Sequence, residues 1–285
     1  MITKVVIPSA GLGTRLLPAT KQQPKEMLPL LLKGIDGKLC LKPLLQVVFE
    51  NLFDANFREF HFITGRGKRS IEDHFTVDNG LLRYLEARDS NGSIQELVAF
   101  YEKIRKSSIV FINQSEPRGF GDALYCAKSP IGKNNFLVHA GDDLVISKDN
   151  QYLLRMMQIF EEKKAAAVFC AEEVDDPTKY GVVIGEELTN GTILVKKVIE
   201  KPQASPSKLA IVAIYLFTPE IFDAIQQTPI DSRNEVQLTN AIQRLIESGR
   251  PVYAVKLSPG EERIDIGNPI SYLSALNHLV KLISK

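Results

Sequence analysis

Between Ser9 and Leu28 the chain gathers two glycines, an arginine and two lysines behind one short apolar run. Val5, Val6 and Ile7 are β-branched and predict a buried strand. Gly11 and Gly13 follow it, then Arg15 and, in a segment broken by prolines, Lys25. A buried parallel strand that ends in glycine turns presents backbone N–H groups to a phosphate. Two cations beside such a loop suit phosphates that are worked on and not merely held. The run is neither of the common phosphate loops. A dinucleotide fingerprint needs G-x-G-x-x-G/A, and Gly11-Leu12-Gly13-Thr14-Arg15-Leu16 has leucine at the third glycine. A Walker A loop needs G-x-x-x-x-G-K-[ST], which is absent after Gly11. A tight turn that uses glycine for positive φ accounts for Gly11 and Gly13 alone, but it does not need Arg15 and Lys25.

Three further groups could do chemistry. Asp142 and Asp143 close the apolar strand NFLVHAGDD. Aspartate is common in turns, yet two adjacent carboxylates are costly to gather unless a cation neutralises one. Mg²⁺ takes one or two carboxylates with phosphate oxygens and water. The second acid has to come from elsewhere, and Asp265 in RIDIGNP also follows a strand and precedes a helix start. Gln114, in INQSEPRGFGDA, has an amide that both donates and accepts, which suits a pyrimidine edge with N3–H beside a carbonyl. Its plain reading is a solvated loop residue, but Pro117, Gly119 and Gly121 permit close backbone approach to a flat ring. Glu200-Lys201-Pro202 closes another strand. Such a pair is usually a surface contact of little worth; in a sugar-phosphate site it supplies an acceptor for hydroxyls and a cation for the phosphate. His61, His74, His139 and His278 lack metal-ligand spacing and are expected to be structural.

These groups need a scaffold that brings strand ends together. Apolar runs of strand length at 3–8, 59–64, 108–113, 135–140 and 165–172 alternate with helical periods at 43–55, 80–88, 94–106, 119–128 and 148–163. Continuous apolar strands separated by helices predict an α/β fold with a doubly wound, mostly parallel, Rossmann-like mixed sheet and its ligand crevice at the carboxyl ends. After Glu173 the strands 180–186, 192–202 and 208–217 follow at short intervals, with a hairpin signal at Asn190-Gly191, and predict an antiparallel extension. Helices are expected at 219–227, at 234–248 and after Asn268, with Pro269 at the first helical position. No repeat or low-complexity tract interrupts this, so 1–285 is expected to be one domain. Residues 1–173 would form a nucleotide-binding half, and 174–285 a sugar-phosphate half with C-terminal helices.

Bulk properties exclude several classes. The chain of 285 residues, 44% of them hydrophobic, can bury a large core. Thirty-five basic against 34 acidic residues give a net charge of +1, without the basic footprint of a nucleic-acid binder. Cys40, Cys126 and Cys170 have no C-x-x-C spacing, which points to reduced, buried thiols and a cytoplasmic location. No apolar run is long enough for a signal h-region or a membrane span.

The string S-A-G-x-G-T-R-L-x-P-x-T-K-x-x-P-K-E-M-L-P, from Ser9 to Pro29, resembles the sugar-nucleotide pyrophosphorylases, nearest to their bacterial and archaeal uridylyltransferases. The resemblance extends from Ile2 to about Leu279 through G-D-D, Q-x-E-P-x-G-x-G-x-A, Y-G-V, E-K-P and N-E-V-Q-L-T-N-A-I. Asn240 replaces an aspartate of that last motif, and Gly34, Asp36 and Gly37 mark an inserted turn within 30–46 that lengthens a hairpin. The resemblance implies a fold of the nucleotide-diphospho-sugar transferase type, with UTP, glucose-1-phosphate and Mg²⁺ as its ligands. Asp142, in preference to Asp143, and Asp265 would share the metal. Arg15 and the metal would stabilise the departing β,γ-phosphates, Lys25 would sit near the α-phosphate, and Lys201 would hold the attacking phosphate. Gln114 and Gly119 would read the uracil with backbone at Ala10 and Gly11, while Gly13, Thr14 and Glu26 complete the nucleotide contacts. Glu200, Gly181 and Ile211 would hold the glucose; Ala213 stands where many members have glycine, which bears on sugar preference. A homodimer or homotetramer is the leaning that the family carries. Two alternatives stay open: thymidylyl transfer from dTTP, which differs by one methyl, and a non-catalytic nucleotide-sugar-binding regulatory protein. The second would be expected to lack the acids and lysines retained here.

Overall fold

The computed structural model describes residues 2–88 and 94–283. The first half contains β1 (Lys4–Pro8), β2 (Pro29–Lys33), β3 (Leu39–Pro43), α1 (Leu44–Asp54), β4 (Glu59–Thr64), α2 (Arg69–His74), α3 (Asn79–Glu86), α4 (Ile94–Arg105), β5 (Ser108–Asn113), α5 (Gly119–Tyr125), α6 (Lys128–Ile131), β6 (Phe136–His139) and β7 (Asp143–Ile146). The second contains α7 (Gln151–Glu162), β8 (Ala167–Glu173), β9 (Gly181–Glu187), β10 (Thr192–Glu200), β11 (Leu209–Phe217), α8 (Glu220–Gln226), α9 (Leu238–Glu247), β12 (Val252–Lys256), β13 (Glu262–Asp265) and α10 (Pro269–Ile283).

A nine-stranded sheet in the order β5-β4-β1-β6-β11-β8-β12-β10-β9 runs through the molecule. Its side chains alternate between two cores, as the period of two in a strand dictates. Val5 and Ile7 enter one hydrophobic cluster while Val6 enters the other; Val168 and Cys170 likewise oppose Ala167, Phe169 and Ala171. Covering helices bury both faces. Among the described residues no helix is long and apolar enough to cross a membrane.

The parallel character is confined to β5-β4-β1-β6 and to the β8–β12 pair. The remaining neighbours, β6–β11, β11–β8, β12–β10 and β10–β9, are antiparallel, so the sheet is mixed as expected but not mostly parallel. The reason is local: β11 is inserted between β6 and β8 in the middle of the sheet and runs against both. β5 also departs from expectation. None of its residues is fully buried, because it is the edge strand of the sheet.

Several boundaries move for identifiable reasons. The helix expected over 148–163 starts at Gln151, after Asp149 and Asn150 take φ of 52° and 51°. The one expected over 119–128 divides into α5 and α6. Residues 234–237 lie outside the helix expected there, since α9 starts at Leu238. The short elements α2, β7 and β12 are additions. The inserted turn does extend a hairpin: β2 and β3 pair from Pro29↔Pro43 to Lys33↔Leu39. Lys42 on that hairpin lies 2.9 Å from both Glu50 of α1 and Glu96 of α4. All three cysteines are free thiols, though Cys170 alone is buried and the other two are half-buried.

Candidate active site

The glycine loop leaves β1 at the carboxyl edge of the sheet. Gly13 adopts φ +65°, a left-handed conformation that glycine takes without strain, and its carbonyl accepts 2.7 Å from the Thr20 hydroxyl. Three short turns then carry the chain back under the loop, so that Lys25 meets Asp142 in the turn between β6 and β7. A parallel β1–β6 pair places both termini at one edge. The loop of β1 and the acids after β6 are thereby neighbours.

Lys25 Nζ lies 2.5 Å from Asp142 Oδ2. Burial opposes the Lys25 charge, but the carboxylates of Asp142 and Glu26 outweigh it and hold its pKa above the ordinary 10.5. Burial likewise pushes the Asp142 carboxyl upward, and the facing ammonium more than reverses that, leaving it below 3.8. Directly behind, Glu26 and Lys68 form an ion pair of 2.8 Å in which both residues are at most 5% exposed. Burial keeps the Glu26 carboxyl above its usual value in spite of Lys68 and Lys25. Glu26 borders the cleft, but its carboxylate is engaged by Lys68; as seen here it supports Lys25. Gly141 makes this packing possible. A Cβ there would fall 2.3 Å from Ser9 Oγ and 3.3 Å from Glu26 Cγ.

Asp143 is separated in role from its neighbour. Arg263 grips it through Nε and Nη2 at 2.6 and 2.9 Å, and the Ala213 backbone N–H donates to it at 3.3 Å. Its carboxylate is filled, while Asp142 lines the cleft. Asp265 stands opposite Asp143 in the β7–β13 ladder, one position from Asp142's place in register. Gly267 separates Asp265 from Arg15: a Cβ on it would lie 2.9 Å from Asp265 Oδ1 and 3.1 Å from Arg15 Nη2.

A cleft of about 490 Å³ gathers Ala10, Gly11, Gly13, Thr14, Lys25, Glu26, Gln114, Gly119, Asp142 and Lys201. Glu235 and Gln237 line it too. Their loop is held to the N-terminus of α5 by Gly121 N–H donating to the Val236 carbonyl and Val236 N–H to that of Arg118. Gly119, at φ +91°, sits under this loop, where a Cβ would come within 2.9 Å of the Glu235 Cβ. Arg15, Asp265, Gly181, Glu200 and Ile211 are outside this cleft's lining. The last three form an annex: Glu200 pairs with Gly181 across β10–β9, and a Cβ on Gly181 would meet Ile211, Glu200 and Thr239 at 3.0–3.4 Å. Lys201 Nζ, 3.1 Å from Glu200 Oε1, joins annex to cleft.

Sequence reasoning missed three contributors. Lys68 sits in a basic loop, Arg66-Gly67-Lys68-Arg69, that resembles solvated surface. Thr239 donates 2.7 Å to Glu200 Oε2, and Asp122 accepts 2.7 Å from Gln114 Nε2. Lys68 and Thr239 lie far along the chain from the residues they serve, and Asp122, eight residues after Gln114, has nothing in its type to mark it.

Asp142 and Asp265 suit a divalent cation. Asp142 Oδ2 faces Lys25, Asp265 Oδ1 accepts from the Gly267 N–H, and Asp265 pairs in register with Asp143, the residue after Asp142. No group of three possible metal ligands occurs among the described residues. Two carboxylates completed by phosphate oxygens and water are what Mg²⁺ prefers over an all-protein cage.

Comparison with known proteins identifies the family. Residues 4–281 match the family model described as nucleotidyl transferase. The chain is 36% identical over 280 residues to the UTP–glucose-1-phosphate uridylyltransferase of Bacillus subtilis, covering 96% of this chain and 89% of that one. Among solved structures, apo UDP-glucose pyrophosphorylase superposes with a TM-score of 0.87 at 32% identity over 99% of each chain. The UTP-bound enzyme from Acinetobacter baumannii superposes with 0.82 at 32% identity, covering 98% of this chain and 93% of the other.

Proposed function

Because the chain belongs to the nucleotidyl transferase family, we propose that its cleft joins UTP to glucose-1-phosphate, forming UDP-glucose and pyrophosphate. The observation that carries this reading is the continuity of cleft and annex through Lys201. One end offers a glycine loop and an amide for a base, the other a carboxylate, a glycine and an aliphatic wall for a sugar.

The chemistry asks for positioning and charge neutralisation only. A phosphate oxygen of glucose-1-phosphate attacks the α-phosphorus of UTP, and pyrophosphate leaves in line. The nucleophile is already ionised, so no general base is needed. Backbone N–H groups around Gly11 and Gly13 cradle the triphosphate. Lys25, kept charged by Asp142, lies where the α-phosphate develops charge, and Lys201 holds the attacking phosphate against Glu200. Arg15, exposed at the rim, meets the departing phosphates. Bound at Asp142 and Asp265, Mg²⁺ would supply further neutralisation of the phosphate oxygens.

A pyrophosphate-release assay that pairs UTP, dTTP, CTP, ATP and GTP with glucose-, galactose- and N-acetylglucosamine-1-phosphate tests this. UTP with glucose-1-phosphate should give the highest kcat/KM. A preference for dTTP, or turnover with none of the pairs, would overturn the assignment.

A further inference from the structure

Gln114 is 5% exposed, and its backbone N–H is tied to the Thr64 carbonyl at 2.7 Å. Its side-chain amide has two protein partners at one terminus, the Asp122 carboxylate at 2.7 Å and the Gly119 carbonyl at 3.3 Å. Both are acceptors, and a carboxylate and a peptide oxygen offer no proton. The NH₂ end of the amide must therefore face them. That leaves Oε1, without a protein partner among the described residues, as the only group Gln114 has for the cleft it lines. An amide that is free to rotate by half a turn offers a donor or an acceptor with equal ease. This one cannot rotate without setting oxygen against oxygen.

We propose that Asp122 is a positioning residue for base selection: by locking the Gln114 amide with its oxygen toward the cleft, it makes the site accept a pyrimidine that carries N3–H and reject one whose N3 is a lone pair. Uracil has that N3–H. Cytosine has the same ring and size but places a lone pair there, opposite Oε1. Asp122 itself lies behind Gln114 on α5 and is absent from the cleft lining, so it acts on the base only through the amide. The inference rests on the reading of this cleft as a UTP site.

The test is steady-state pyrophosphate release with saturating glucose-1-phosphate and varied UTP or CTP, for wild type, Asp122→Ala, Asp122→Asn, Asp122→Glu and Gln114→Ala. The expected result is a ratio of UTP to CTP kcat/KM that falls at least about tenfold in Asp122→Ala and Asp122→Asn, because either orientation of Gln114 then finds a partner. Asp122→Glu keeps an acceptor-only group and should restore the wild-type preference, which a general loosening of α5 would not do. Should the alanine variant fail to fold, the isosteric asparagine carries the comparison. An unchanged ratio in Asp122→Asn, with wild type and Gln114→Ala behaving as expected, overturns the role of Asp122 alone. Unaltered UTP use by Gln114→Ala overturns the base-site reading itself, and the inference with it.

Discussion

Lys25 and Asp142 stand 117 residues apart in the chain, and their charged atoms lie 2.5 Å apart at the mouth of the cleft. Each raises the charge stability of the other against the cost of burial. Neither charge would be held so deep alone, which is why a phosphate can find a fully ionised lysine here.

Behind them, the Glu26–Lys68 pair is the most deeply buried ionic contact near the site. Removing one partner strands the other, at about 3–5 kcal/mol. Lys68→Met should therefore lower stability by that order in urea unfolding, while the double variant Glu26→Met/Lys68→Met recovers most of it. A loss in the double variant equal to the sum of the two single losses would show that the pair is not coupled.

Thr239→Val removes the hydroxyl that donates to Glu200 without changing shape. The Glu200 carboxylate then loses one fixed direction, and KM for glucose-1-phosphate should rise on the order of tenfold with KM for UTP little changed. A rise confined to UTP would place Glu200 at the wrong end of the site.

Gly119→Ala places a Cβ 2.9 Å from that of Glu235 and 3.0 Å from the Val236 carbonyl, at a φ that disfavours a side chain. The loop bearing Glu235 and Gln237 has to move, and kcat/KM for UTP should fall by about a hundredfold or more. Activity close to wild type would mean that this loop is not part of the working cleft.

His74 gives a pH signature away from the chemistry. It stacks on Phe100 at 5.0 Å and lies 3.0 Å from Gln46 Oε1, and burial lowers its pKa from 6.5 to about 4. The folded protein resists a proton that the unfolded chain accepts. Its contribution is thus complete above pH 6.5 and is lost as pH falls towards 4, a change on the order of 3 kcal/mol. Burial lowers His61 and His139 too, so His74→Gln should remove only part of the acid slope. Urea midpoints measured from pH 7 to 4 would show this; identical slopes in variant and wild type would refute it.

The parts legible in the sequence are those whose physics is local. Val5-Val6-Ile7 has to be a buried strand, a glycine pair must follow it as a turn, and Asn190-Gly191 closes a hairpin with φ of 57° and 68°. What stayed hidden depends on register between distant strands. The strand at 208–217 is read as part of an antiparallel extension, but nothing within it announces that it inserts between β6 and β8 in the middle of the sheet. Lys68, Thr239 and Asp122 serve Glu26, Glu200 and Gln114 through contacts that exist only after the fold forms. A lysine in a basic loop, a threonine in a helix's first turn and an aspartate in another all have ordinary local explanations.

The most direct test of the central claim compares wild type with Lys25→Ala for pyrophosphate release from UTP in the presence and absence of glucose-1-phosphate. The wild type should release pyrophosphate only when both are present. The variant should retain its circular dichroism spectrum and lose at least about a hundredfold in kcat, the cost of one lost charge contact in the transition state. A folded Lys25→Ala protein that turns over at the wild-type rate, or a wild type that releases pyrophosphate without the sugar phosphate, would contradict the account.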